Sequence, residues 1–107
     1  MERKQVRCAQ GILEAQVCGG VAVFRGVPYA AAPVGALRWR EPQAPLPWGG
    51  VRPADVFSAM PAQCAGGPDS PMGRLYQSED CLYLNIYAPA EADRPLPVLV
   101  WFYGGSY

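Results

Sequence analysis

The stretch that most constrains this chain is Pro97-Val98-Leu99-Val100-Trp101-Phe102-Tyr103-Gly104-Gly105-Ser106-Tyr107. An unbroken apolar run of this kind suits a strand buried on both faces, as in the centre of an α/β sheet. Glycines at its end let backbone N–H groups approach a ligand closely. Several such N–H groups aimed at one point stabilise a developing oxyanion. Gly104, Gly105 and Ser106 are the candidate residues of such a turn; the plainer reading is an ordinary glycine turn after a strand. Ser106 is not a candidate nucleophile, because a nucleophilic serine needs an adjacent base and the sequence contains no histidine. A Ser-His-Asp or Cys-His mechanism cannot be completed within these residues.

Length and charge remove whole classes of function. At 107 residues the chain suits one small domain. Half of the residues are hydrophobic, so the composition is not that of a disordered segment. Nine basic and nine acidic residues cancel, so nothing supports a nucleic-acid partner or a polybasic membrane anchor. The start, MERKQVRCAQ, has charge but no apolar core of a secretory signal. The longest apolar run is far below the ~20 residues that a spanning helix needs. The expectation is a soluble, cytoplasmic chain with no membrane segment. Four cysteines without CxxC spacing and no histidine give no zinc pattern. No metal and no cofactor are expected.

Twelve glycines and twelve prolines are scattered without a repeat, which makes long helices unexpected. Ile12–Val17 and Val21–Phe24 flank Gly19-Gly20 and read as a hairpin. A further short strand is expected near Val6, before the Gln10-Gly11 break. From Arg25 to Gln63 seven prolines deny the chain regular hydrogen bonding. Tyr29, Leu37, Trp39, Trp48, Val51 and Phe57 are threaded through that stretch, which is expected to lie extended with its aromatics pinned into a larger body. Leu82–Tyr87 alternates as a strand, with Leu82, Leu84 and Ile86 on a dry face and Tyr83, Asn85 and Tyr87 on a mixed one. Pro97 opens the final strand. The connection between these two strands is too short for a helical crossover, so in one sheet they would run antiparallel.

Three blocks in this order resemble the beginning of a type-B carboxylesterase, the cholinesterase-like branch of the α/β-hydrolases. They are VFRGVPYAAAPVGALRWREPQAPLPWGGVRPADVF at 23–57, SEDCLYLNIYAP at 78–89 and PVLVWFYGGSY at 97–107. The resemblance covers nearly the whole chain, and the second block is its most specific part. It implies an α/β class, with 1–107 as the N-terminal segment of a carboxylesterase type-B domain: strand- and loop-rich, with an incomplete sheet. Family members are several hundred residues long, and their GESAG-type nucleophile elbow, acidic residue and histidine would lie beyond position 107. The chain therefore reads as a fragment that needs the missing C-terminal part. The family often has His at the place of Tyr103, though Tyr also occurs there. Ser106 stands where the family's motif has its third glycine, a place that accepts small residues because the backbone N–H does the work.

The resemblance also implies the function: hydrolysis of a small-molecule carboxylic ester by an acyl-serine route. By similarity, Gly105 and Ser106 would supply half of the oxyanion hole, and the segment alone would be inactive. Cys64 and Cys81 would form a disulfide closing a loop, worth about 3 kcal/mol if formed; two reduced thiols are the alternative that a reducing compartment favours. Arg38 and Glu79 would form an ion pair tying the proline-rich stretch to the strand, against two solvated surface charges of little value. Glu79-Asp80 as a metal or acid–base pair carries little weight, since neighbours in an extended chain point opposite ways. Tyr103 is a candidate wall of an acyl or alcohol pocket. Two other functions remain open: a non-catalytic cholinesterase-like adhesion domain, and a gene remnant with none. In the parent fold a later strand separates 82–88 from 97–103. A gap is therefore expected between them, leaving edges open to pairing with other chains.

Overall fold

The computed structural model describes residues 1–64, 69 and 75–105. Five strands form one sheet: β1 (Arg3–Cys8), β2 (Gly11–Cys18), β3 (Val21–Pro28), β4 (Val51–Pro53) and β5 (Tyr83–Pro89). The path runs β1-β2-β3-β5, with β4 added to β2. The β2–β3 turn is Gly19-Gly20, with φ of 57° and 78°, values that a residue with a Cβ adopts only at a cost. The hairpin and the short strand around Val6 stand where the sequence places them, although β3 runs on to Pro28. The only helical element among the described residues is one 3-10 turn at Gly35–Leu37.

Register explains where the core sits. Val6 faces Leu13 and Lys4 faces Ala15 across β1–β2. Val17 faces Ala22, and Ala22 then faces Ala88. Cross-strand partners share a face, so Leu13, Ala15, Ala22 and Phe24 gather at the middle of one side, where all are buried. They pack with Val27, Ala54 and Ala90 in one cluster. Four of these seven side chains are alanines, so the cluster is thin. Its flanks, Val6, Leu84 and Ile86, stay about two-fifths exposed at 41%, 39% and 40%.

β4 fills a fork. β1 pairs with one edge of β2 along almost its whole length. The other edge is shared: β3 takes Gln16–Cys18, and β4 runs parallel to Ile12–Glu14. Ala54 joins the two branches, its N–H donating to Glu14 O and its carbonyl accepting from Arg25 N, each at 2.9 Å. Trp48 anchors the approach to β4: its backbone N donates to Gln10 O (3.0 Å) and its Nε1 donates to Ile12 O (2.9 Å). A Cβ at Gly11 would sit 2.5 Å from that Nε1, so the indole lies flush on the backbone there. Replacing Trp48 by Phe is expected to cost about 1 kcal/mol for the lost hydrogen bond. Replacement by Ala is expected to cost about 2–3 kcal/mol, since packing goes as well. Denaturant midpoints of the two variants measure both.

A bulge joins β3 to β5. Phe24 pairs with Ile86 but Val27 pairs with Leu84, so β3 carries one extra residue. The side chain of Asn85 takes up the slack: its Oδ1 accepts from Gly26 N at 3.0 Å.

Three expectations need correction. Tyr29, Trp39 and Phe57 are exposed, Trp39 at 91%; of the named aromatics in the proline-rich stretch only Trp48 packs against the core cluster. Leu84 and Ile86 share a face but that face is not dry, because β5 is a sheet edge whose apolar side stays open among the described residues. Residues 97–103 carry no strand assignment, and Val98–Tyr103 are between 67% and 90% exposed. A strand assignment needs a ladder, and β5 pairs with β3 alone. Leu82–Tyr87 and Val98–Tyr103 do not pair, so the gap between them is open.

Candidate active-site turn

Gly104 and Gly105 follow the apolar run directly and are both exposed. Gly105 has φ of 144°, and an added Cβ at either glycine would meet nothing within 4 Å. Conformation at Gly105, and not crowding, is what asks for glycine. Their N–H groups are free of the sheet: among the described residues, no backbone hydrogen bond outside the strands involves either glycine. Ser106, the other candidate donor, lies outside the described residues.

Tyr103 brings the turn to the sheet. It borders a groove of about 270 Å³ whose other walls come from Tyr29, from 57–61 and from 81–85, including Phe57, Met60, Leu82 and Tyr83. Asn85, the residue that holds the bulge, also lines it. The guanidinium of Arg25 lies over the Phe57 ring, 5.1 Å from its centre. The sequence contains this groove only as separate pieces; a signal for it is the polar Asn85 placed centrally in an otherwise apolar β5, opposite the Gly26 region.

Cys81 stands in the groove wall. Burial pushes its thiol above the usual range, and the charges of Asp80 and Glu79 push further in the same direction. A thiol so disposed is a poor nucleophile at neutral pH. Cys81 and Cys64 are both free thiols, Cys81 half-buried and Cys64 exposed. The Tyr83 hydroxyl is likewise held above its ordinary range, by burial first, then by a hydrogen bond and charge from Asp80, with Arg52 opposing. It stays protonated at neutral pH and can donate.

Arg38 meets Glu79 through Nη1 and Oε1, and the pair is about half exposed on each side (52% and 50%). The Arg38 guanidinium also lies 5.7 Å from the centre of the Trp39 ring. Trp39 has φ of 60°, an unusual backbone state for a bulky residue. The pair links the 3-10 turn to the segment entering β5. Arg38→Ala is expected to shift stability by less than about 1 kcal/mol, and less again at 1 M salt. A denaturant titration at two ionic strengths reads this; a loss above about 2 kcal/mol would make the pair a main clamp.

The sequence profile of the carboxylesterase family matches residues 3–107. The chain belongs to the carboxylesterase family. The acylcarnitine hydrolase of Mus musculus is 48% identical over 97 residues, which span 81% of this chain and 17% of that enzyme. The fumonisin B1 esterase of Sphingopyxis macrogoltabida is 42% identical over 107 residues, 97% of this chain and 19% of its own length. A PNB esterase structure superposes with a TM-score of 0.82 at 35% identity, covering 95% of this chain and 20% of that one. A thermophilic PNB esterase gives 0.84 at 34% identity over 96% and 22%. The chain thus spans about a fifth of the length of these carboxylesterases, and its fold is the N-terminal part of their α/β-hydrolase fold.

Proposed function

We propose that this chain is the N-terminal part of a carboxylic-ester hydrolase, supplying scaffold and half of the oxyanion hole to a serine acyl-enzyme mechanism. The observation that carries the reading is the free pair Gly104–Gly105 at the end of an apolar run, in a chain that matches carboxylesterases over nearly its whole length. In that mechanism a serine attacks the ester carbonyl and the carbonyl oxygen takes negative charge. The N–H groups of Gly105 and Ser106 donate to that oxygen while the tetrahedral intermediate lasts. The base must come from outside these residues, which hold no histidine. Backbone N–H groups fixed by a turn need little reorganisation when charge develops.

The test is a graft in which residues 1–107 replace the matching N-terminal fifth of a PNB esterase. The graft should hydrolyse an activated ester such as p-nitrophenyl acetate with saturable kinetics. The isolated chain should give no rate above a scrambled control. A folded graft without turnover would reject the proposal.

A further inference from the structure

We propose that the exposed segment 41–47 is a preformed polyproline II ligand, docking in a groove that a partner protein builds from a tyrosine and a tryptophan ring. None of its residues lines the groove bordered by Tyr103, and the site stands apart from the glycine turn.

Conformation comes first. The segment reads Glu41-Pro42-Gln43-Ala44-Pro45-Leu46-Pro47. Proline fixes φ near about −65°, and the residue before a proline is held in the extended or polyproline II region. Those two rules cover every position but Gln43. No helix or strand is assigned from 41 to 48, and the peptide bonds there are trans. The shape is set by the covalent chain, so a partner spends little of its binding energy on ordering it.

Two tethers hold the segment still. The Gln43 carbonyl accepts from Ala31 N at 2.9 Å, and Trp48 N donates to Gln10 O at 3.0 Å. The Trp48 indole is fastened as well, through Nε1 to Ile12 O. Among the described residues no backbone-to-backbone hydrogen bond involves 44–47, so the carbonyls there are open to an outside donor.

Burial shows which side is offered. A polyproline II helix has about three residues per turn, so Pro45 and Trp48 share an edge. Both are half-buried, and Trp48 packs against the core. The other two edges carry Ala44 with Pro47 and Gln43 with Leu46; all four are exposed, Leu46 at 78%. The offered surface is a Leu-Pro step without a charge from 43 to 47. An aromatic groove suits such a step, because its rings pack on the proline while an indole N–H or phenol O–H donates to a ligand carbonyl. A second Pro-Leu-Pro stands at 95–97. There Leu96 is only 43% exposed, and the step leads into the run beside the open gap.

The experiment titrates the full chain into an isotope-labelled WW domain that takes Pro-Leu-Pro ligands, following its groove indole N–H by NMR. The indole signal should shift and saturate. Pro47→Ala should weaken binding at least about fivefold, through lost stiffness and lost ring contact. Pro97→Ala should leave binding unchanged. Both positions are exposed, so circular dichroism should show the parent's fold in each variant. The folded graft should bind as the chain does and lose affinity on Pro47→Ala. No saturation, equal loss in the two variants, or loss on Pro97→Ala alone would overturn the proposal. Binding by the chain but not by the folded graft would overturn it too, since the rest of the hydrolase fold would then cover the segment.

Discussion

Gly105→Pro in the graft should lower kcat by a factor of about 100 to 1,000 while KM changes little. Proline removes the N–H that would donate to the oxyanion, and loss of one such donor typically costs ~3–4 kcal/mol of transition-state stabilisation. Its ring also fixes φ near about −65°, whereas Gly105 sits at 144°. Gly105→Ala separates the two effects. It keeps the N–H but disfavours the backbone state, so its loss in kcat should be smaller than that of proline. No Cβ clash complicates the comparison, since the space around Gly105 is open. A ground-state role would raise KM and spare kcat; that pattern in both variants would remove Gly105 from the oxyanion site.

Gly26→Ala should destabilise the sheet by about 3 kcal/mol. Gly26 has φ of 70°, and its added Cβ would lie 2.7 Å from both Ser58 Oγ and Val56 O. The hydroxyl can rotate away, but the carbonyl belongs to the backbone. Either the 56–58 stretch moves out or the bulge flattens and its bond to Asn85 breaks. The thin core has few large side chains to absorb the loss, so a denaturant curve should move to a much lower midpoint. Asn85→Ala should cost about 1–2 kcal/mol, the penalty for leaving the Gly26 N–H without its acceptor. A Gly26→Ala midpoint within error of the parent would mean that the bulge does not hold the strands together.

Local patterns made the N-terminal half of the fold readable. Two β-prone runs around Gly19-Gly20 pair most simply as a hairpin, and the alternation of Leu13, Ala15 and Val17 fixes which face is apolar. The exposed aromatics were not readable that way. Whether Phe57 or Trp101 is covered depends on what packs over it, and composition carries only their preference to be buried. Trp48 differs because its neighbour Gly11 makes room for it and Ile12 offers a carbonyl. The run Val98–Tyr103 looks like a buried strand from its residues and is bare here for one physical reason: a strand needs a neighbour's backbone, and no described strand lies beside it. At the candidate turn, two glycines and a small residue after an apolar run were legible as a motif. The groove beside it was not, because four separate stretches build it. The link between Arg38 and Glu79 belongs to the resemblance and not to periodicity, as 41 residues separate the partners.

On this reading residues 1–107 carry oxyanion donors and scaffold but no activated nucleophile. Intact-mass analysis after exposure to a serine-directed fluorophosphonate tests this most directly, run on the isolated chain and on the graft. The isolated chain should gain no adduct, because no serine in it has a histidine base. The graft should gain one adduct, placed by peptide mapping in the host's portion, and Gly105→Pro should slow its formation. A saturable adduct on Ser58, Ser70, Ser78 or Ser106 would contradict the assignment.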